Sequence, residues 1–128
     1  MAKPKPYQIE LAHKMIDAGA DIILGHHPHV VQGIEYYKNK VIAYSLGNFI
    51  FGSYSKSATE SMIMKISWSE GKFNACKIIP INVFNEVVEF QPRPLSGKEK
   101  IDFLENLNKL SQELNDYPIV ISSDGKVI

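Results

Sequence analysis

The first 25 residues place the strongest constraint on the fold, because a helical pattern leads almost directly into a buried strand. Pro6 suits the first turn of a helix, and apolar residues then recur at helical spacing. Gly19 is placed to end that helix, and the apolar run Ala20–Leu24 follows at once. We predict a helix over residues 7–18 and a buried strand over Ala20–Leu24, together half of a β–α–β unit. The apolar helix positions are Tyr7, Leu11, Ala12, Met15 and Ile16.

Short strands and turns are predicted to follow. Gly33–Tyr37 and Val41–Leu46 have the composition of strands. Lys38-Asn39-Lys40 separates them as a turn, since Asn tolerates positive φ. The segment Gly52–Thr59 is small, polar and rich in serine, so we predict a loop there.

A long β-hairpin is predicted in the middle of the chain. Ser61–Ser69 alternates apolar and polar residues, Glu70–Lys72 is a compact turn, and Phe73–Val83 returns as a second long strand. We expect this hairpin to share one sheet with the earlier strands Ala20–Leu24 and Val41–Leu46, with the first helix packed on that sheet.

The last third of the chain contains a second amphipathic helix. Val87–Phe90 is a candidate short strand, and Ser96 and Glu99 form a capping box that opens a helix over about 97–114. We expect this helix to pack at the periphery through an apolar stripe that is core surface rather than a partner groove. A last strand is predicted at Ile119–Ser122. The stripe consists of Phe103, Leu104, Leu107, Leu110 and Leu114.

The composition is that of an ordinary globular protein. The 128 residues carry 14 basic and 14 acidic side chains and no net charge, which fits one domain with one core. No basic face is visible, so no nucleic-acid partner is expected. A single cysteine, Cys76, excludes an internal disulfide, and its strand-like context predicts a packed thiol. The sequence shows no signal peptide and no run of membrane-spanning length. We divide the single domain 1–128 into a tail 1–6, a motif-bearing region 7–52, a hairpin region 61–90 and a C-terminal helix and strand 96–128.

Three of the four histidines lie directly after the first predicted strand, at His26, His27 and His29. Neutral imidazole is a common ligand for zinc, iron and similar ions. In an extended segment side chains alternate, so His27 and His29 would share one face, with Pro28 stiffening the pair. The alternative is that these are polar loop residues with no ligand.

Two blocks of sequence are similar to the signatures of a known family. The first is Gly19–Gly33 (GADIILGHHPHVVQG), and the second is Tyr44–Phe51 (YSLGNFIF). In this order and spacing they resemble the poly-gamma-glutamate capsule synthesis (CapA-type) family over about residues 7–52. That family resembles the calcineurin-like metallophosphoesterases. The resemblance implies an α/β fold (mixed α+β), specifically the C-terminal half of a metallophosphoesterase-like α/β/β/α sandwich with metal ligands at strand ends.

The resemblance makes His27 and His29 candidate metal ligands and catalytic residues. A late His-x-His motif in that superfamily gives one histidine to each of two metals, and His26 matches a freer position and ranks third. The implied cofactor is a divalent metal: Mn, Fe or Zn. The other ligands come from upstream segments that have no counterpart here. Two histidines without carboxylates cannot bridge two metals, so we expect the chain to be inactive alone.

The implied function is capsule or poly-gamma-glutamate biosynthesis by a metallophosphoesterase-like protein, here truncated. The alternative is a non-catalytic assembly or ligand-binding module that retains half of the fold. Ser45 and Asn48 are candidate substrate-binding residues. The alternative is that the Gly47-Asn48 turn has a structural role at the end of its strand. Ser45 is not expected to be a nucleophile, since no Gly-x-Ser-x-Gly elbow surrounds it.

The missing half also determines the expected partners. Without it, an apolar sheet face and a strand edge would stay open, and such edges invite pairing with another chain. We expect either the N-terminal half or self-association into a homo-oligomer to cover them. The resemblance also implies a capsule-synthesis membrane complex and an extracytoplasmic or membrane-associated location.

Overall fold

The computed structural model of the chain describes residues 1–50, 54–70 and 72–127. The predictions at Phe51, at the first two residues of Gly52–Thr59 and at Gly71 lie outside the described residues. The described elements are, in chain order, α1 (Pro6–Asp17), β1 (Ile22–Leu24), β2 (Ile34–Tyr37), β3 (Lys40–Ala43), β4 (Glu60–Ser69), β5 (Lys72–Asn82), α2 (Asn85–Val88), β6 (Arg93–Pro94), α3 (Gly97–Gln112) and β7 (Lys126–Val127). The fold is therefore mixed α+β, as predicted. Each of these helices is too short or too polar to traverse a lipid bilayer.

The start and end of α1 follow the sequence signals. Pro6 is its first residue, and the helix closes with the N–H of Gly19 bonded to Ile16 and that of Ala20 bonded to Met15. This is a Schellman motif, and Gly19 adopts the left-handed φ of 109° that the motif requires. The predicted helix is confirmed.

The first sheet has three strands in the order β1-β3-β2. β1 and β3 are parallel, whereas β2 and β3 form an antiparallel hairpin. Lys38 and Asn39 connect them with φ of 50° and 62°, the pair of left-handed residues that a type I′ turn needs. The strand Ala20–Leu24 is thus confirmed in position, although β1 itself begins at Ile22. Its expected burial is wrong, because Ile22 and Ile23 are only half-buried and Leu24 is 42% exposed.

The predicted hairpin is confirmed but lies in a second sheet. β4, β5 and β6 pair in that order and β7 joins β5, so the expectation of one sheet shared with β1 and β3 is wrong. The chain passes between the sheets after Leu46, whose carbonyl accepts the N–H of Met62. Leu46 lies beyond the end of β3, and among the described strands none of the first sheet pairs with one of the second.

The two sheets share one apolar core. Ile34, Val41 and Ala43 of the first sheet pack with Met62 and Ile78 of the second. On the other face of the first sheet, α1 packs through Ala12 and Ile16 against Ile42 and Tyr44. The alternation of Val41, Ile42 and Ala43 between the two clusters is the period-2 pattern of a strand buried on both faces.

The helix α3 enters that shared core, so the expectation that it packs at the periphery is wrong. Phe103, Leu104 and Leu107 are almost fully buried and lie in the main cluster. The predicted apolar stripe is therefore core surface, as expected. Ser96 makes no side-chain cap bond, so the helix begins at the predicted place without the predicted capping box.

Two predicted strands near the end of the chain are wrong, for local reasons. Val87–Phe90 instead falls in α2 and a turn, because the side-chain oxygen of Asn85 accepts the N–H of Phe90. At Ile119–Ser122 only Ile121 forms a bridge, to Val127. The side-chain amide of Asn108 donates to the carbonyl of Ile121 and accepts its N–H. These two backbone groups are therefore not available for strand pairing.

Candidate functional site

The histidine segment is held beside the segment that follows β3. The N–H of Gly25 donates to Ala43 across 2.7 Å, and the carbonyl of Gly25 accepts the N–H of Leu46 at 3.1 Å. A Cβ at Gly25 would stand 2.1 Å from the carbonyl oxygen of Tyr44, so only glycine permits this approach. The parallel pairing therefore continues past β1 and places the two sequence blocks side by side.

The imidazoles of His27 and His29 are neighbours. Their ring centroids are 6.3 Å apart with an angle of 42° between the planes, and both residues are solvent-exposed. The extended conformation expected for this segment is wrong, because His27 and His29 have φ of 96° and 62°. The chain bends on both sides of Pro28, and this bend, rather than strand alternation, brings the two rings together.

Asn48 fixes the orientation of His29. Its Oδ1 lies 2.8 Å from Nδ1 of His29, and an amide oxygen can only accept, so Nδ1 carries the proton. In the neutral ring Nε2 is then the nitrogen with the lone pair. Asn48 is buried, and a buried partner on the second ring nitrogen is the arrangement that orients metal-binding histidines in proteins. The sequence position of Asn48, near a strand end, did not predict this contact with His29.

His26 faces a different environment. It lines a cavity of about 240 Å³ together with Asn48, Phe49, Met62 and Ile63. Most of these side chains are apolar, so the cavity offers little to a cation. The structure thus places His26 beside the His27–His29 pair without bringing its ring into that pair.

Ser45 and Gly47 form the turn between β3 and Asn48. Ser45 is fully buried, and its hydroxyl accepts the N–H of Gly47 at 3.2 Å. Gly47 takes the left-handed φ of 83° that this turn requires, and Asn48 has no positive φ. This geometry gives Ser45 a structural contact, and no described feature brings its hydroxyl to the surface.

The residues present fit two positions of a metal site and no more. Within 1–50, 54–70 and 72–127, no three His, Cys, Asp or Glu side chains are grouped to hold an ion. Asp17 is paired with Lys38 at 2.5 Å and Asp21 with Lys40 at 3.1 Å. Zinc sites in proteins use three or four protein ligands, so further ligands would have to come from outside the described residues.

A second polar cluster, missed by the sequence reasoning, lies on the α1 side of the first sheet. Glu35 is buried; one carboxylate oxygen accepts from Nε2 of His13 at 2.7 Å and the other from the hydroxyl of Tyr44 at 2.5 Å. Tyr37 stacks on the His13 ring at 3.8 Å. Burial and the bond to Glu35 raise the pKa of Tyr44 above its usual range. The sequence signal for this cluster is Glu35, a charged residue in the otherwise apolar strand β2. Through the bond from His13 to Glu35, the cluster attaches α1 to the sheet.

The comparisons with known proteins agree with the two sequence blocks. Residues 1–53 match the model of the family described as bacterial capsule synthesis protein PGA_cap. The chain is 39% identical over 95 residues to the capsule biosynthesis protein CapA of Bacillus anthracis, covering 74% of this chain and 22% of that protein. The chain belongs to the CapA-type capsule synthesis family.

Two further relatives show how much of a CapA-type protein this chain represents. It is 35% identical over 112 residues to the PGA biosynthesis protein CapA of Bacillus subtilis, covering 88% of this chain and 28% of that protein. A probable polyglutamine synthesis accessory protein of Mycobacterium tuberculosis is 27% identical over 86 residues, 61% of this chain and 23% of that protein. The chain therefore spans about a quarter of the length of the curated relatives it matches.

Proposed function

We propose that this chain acts in the biosynthesis of a poly-gamma-glutamate capsule, as the histidine-bearing part of a CapA-type protein. The hydrogen bond between His29 and Asn48 carries the proposal. It joins the two family blocks at one end of the parallel pair β1–β3, where open sheets place their ligand sites. The names of the Bacillus relatives supply the process.

His27 and His29 are the groups we assign to a divalent ion, Mn, Fe or Zn. Nδ1 of His29 is committed to Asn48, so this residue would bind through Nε2. Such an ion, when bound, polarises a phosphoryl or acyl oxygen. The remaining ligands are assigned to the part of a CapA-type protein outside the matched residues, because the described residues contain no third ligand beside the pair.

A chimera tests the proposed process. The segment of the Bacillus subtilis protein that matches this chain is replaced by this chain, and the chimera is expressed in cells that lack their own copy. We expect poly-gamma-glutamate to be produced. Absence of polymer from a stably folded chimera contradicts the proposal.

Histidine variants of that chimera test the site. We expect His27→Ala and His29→Ala each to reduce polymer output at least about 10-fold, the effect typical of lost metal-site residues. His26→Ala is the matched control, since its ring faces the apolar cavity, and we expect a smaller effect.

A non-catalytic assembly or ligand-binding module is the second candidate. The lack of a third metal ligand among the described residues favours it. A chimera that supports polymer production equally well with both His27 and His29 replaced by Ala establishes this reading and removes the metal assignment.

A further inference from the structure

Three lysines stand side by side on the outer face of the second sheet. Lys65 of β4 lies directly opposite Lys77 of β5, and Lys77 lies directly opposite Lys126 of β7. All three are exposed, whereas Cys76, the neighbour of Lys77, points into the core and is 1% exposed. We call these three residues the lysine row. They come from three separate parts of the sequence, so only the register of the strands brings them together.

The lysine row carries more positive charge than its surroundings neutralise. Lys77 has one acidic neighbour, Asp124, with a carboxylate oxygen 3.9 Å away, and the other oxygen of that carboxylate accepts from the Ser122 hydroxyl. Within the part of the chain that the structure describes, Lys65 and Lys126 have no salt-bridge partner. Three lysines and one aspartate leave this face with a net charge of +2.

The sheet itself does not relieve the repulsion within the row. Directly opposed residues of antiparallel strands have their Cβ atoms about 4.5–5.5 Å apart, and like charges in such pairs are destabilising. The flanking pairs on the same face bring no carboxylate, because Ile63 is opposite Ile79 and Ser67 is opposite Ala75. An anion with several charges, bound across the three strands, would relieve this repulsion.

We propose that the lysine row is a binding surface for a polycarboxylate chain, poly-gamma-glutamate. The inference rests on the proposed function, which supplies the polymer. The row crosses three strands, so its ends lie about 10 Å apart, and each lysine carries a compact charge on a flexible stem. A polymer with a carboxylate on every residue can contact all three lysines, and after the first contact the others form within one complex.

The row has fewer charges, and of a different kind, than surfaces for other polyanions. Segments that bind anionic membranes carry clusters of about four to eight basic residues, whereas the row has three. Arginine is the residue suited to bidentate contacts with phosphates, and the one arginine of the sequence, Arg93, lies in β6 rather than in the row. Lysines alone match single carboxylates spaced along a flexible chain.

The anisotropy of fluorescently labelled poly-gamma-glutamate measures binding to this chain. We expect a saturable complex, and we expect its affinity to fall at least about 10-fold in the triple variant Lys65→Gln, Lys77→Gln, Lys126→Gln. One exposed ion pair contributes up to about 5-fold in affinity, so three together account for a loss of this size.

The matched control removes three exposed lysines that lie outside the second sheet and changes the net charge equally. It should lose less than about 3-fold in affinity, since the charges of the row remain in place. Equal losses in the two triple variants would reduce the binding to overall charge and overturn the proposal. The control carries Lys56→Gln, Lys98→Gln and Lys109→Gln.

Salt and free glutamate provide two further readouts. Raising the salt concentration from about 50 to about 500 mM should weaken the complex, because salt screens exposed charges, and the dependence should be shallower in the row variant. Free glutamate at the same total carboxylate concentration should not compete, since it makes one contact at a time. Full competition by free glutamate would contradict a site for an extended chain.

Thermal melting distinguishes binding from a structural role of the row. Removing like charges from opposed positions should leave the melting temperature of the row variant unchanged or higher. A marked decrease would assign these lysines to the stability of the sheet and overturn the proposal. Asp124→Asn removes the acidic neighbour of Lys77 and should raise the affinity for the polymer about 2-fold; a lower affinity in this variant is equally contradictory.

The outcomes separate this inference from the proposed function. Equal polymer affinities of the original and row-variant chimeras, in cells where the chimera makes polymer, overturn the lysine row and leave the function intact. Row-dependent binding by a chimera that makes no polymer supports the binding surface and contradicts only the function. Row-dependent binding to phosphatidylglycerol vesicles or duplex DNA, without row-dependent binding of the polymer, assigns the surface to another partner and overturns the proposal.

Discussion

Oδ1 of Asn48 accepts a hydrogen bond from Nδ1–H of His29 across 2.8 Å, and this bond links residues 19 positions apart in sequence. The contact exists because Gly25 lets the chain after β1 approach the chain after β3. It sets both the tautomer of His29 and the direction of its ring. The close approach of these two segments of the sheet therefore determines which nitrogen of His29 is left to bind a metal ion.

Replacing Asn48 by Ala should release His29 from this tautomer. We expect the fraction of His29 protonated on Nδ1 to fall, as measured from the ¹⁵N shifts of the ring in the isolated chain. In a Zn²⁺ titration the affinity should fall about 10-fold or more, the usual effect of losing such a partner. Asn106→Ala, on the exposed side of α3, is the control. Unchanged ring shifts in Asn48→Ala would show that the bond does not set the tautomer.

The helix–strand start and the hairpin could be predicted because their signals are local. Pro6 and Gly19 mark the two ends of α1, and the alternation over residues 61–69 matches a strand with one face in the core. Both follow from the geometry of the chain within a few residues. Local pattern was therefore sufficient for these elements.

The remaining features depend on contacts between distant residues. Asn108 satisfies Ile121 and ends a strand that its composition favoured. The left-handed conformations of His27 and His29 and the bond from His29 to Asn48 depend on the approach at Gly25. The residue types at the candidate site could be identified from sequence, but their geometry could not.

The isolated chain should show no significant phosphatase activity. With Mn²⁺, Fe²⁺ or Zn²⁺, we expect negligible turnover of phosphomonoester and phosphodiester substrates, because no third ligand accompanies His27 and His29 in the described residues. Release of nitrophenol from nitrophenyl phosphates measures it. Robust turnover that His27→Ala abolishes would show that two histidines suffice.

Gly25→Ala should be strongly destabilising. The added Cβ would lie 2.1 Å from the Tyr44 carbonyl oxygen, so the β1–β3 pairing must open, at a cost of about 3 kcal/mol. Gly19→Ala is the control: it has a φ of 109° but nothing within 4 Å, and left-handed strain alone costs about 1 kcal/mol. Urea unfolding measures both free energies. Equal losses would mean that the approach at Gly25 relaxes easily.

Tyr44→Phe should weaken the attachment of α1 to the sheet. It removes the 2.5 Å bond to the buried carboxylate of Glu35, and a hydrogen bond to a charged group contributes about 2 kcal/mol. Tyr117→Phe, at a side chain 83% exposed, should change the unfolding free energy by less than about 0.5 kcal/mol. A neutral Tyr44→Phe would indicate that water replaces the lost hydroxyl.

The buried thiol of Cys76 should make stability fall at alkaline pH. Burial raises its pKa from the ordinary 9.0 to about 11, so the unfolded chain loses the thiol proton before the folded chain does. The contribution of the neutral thiol is complete below pH 9 and is lost as the pH rises through about 11. We expect the melting temperature to decline over this range, and Cys76→Ala to make the decline shallower. The remaining decline of the melting temperature in Cys76→Ala should come from Tyr36 and Tyr44, whose pKa values burial also raises. An identical slope in Cys76→Ala would show that the thiol ionises equally in both states, and rapid reaction of the native thiol with a disulfide reagent at pH 8 would confirm that it is accessible.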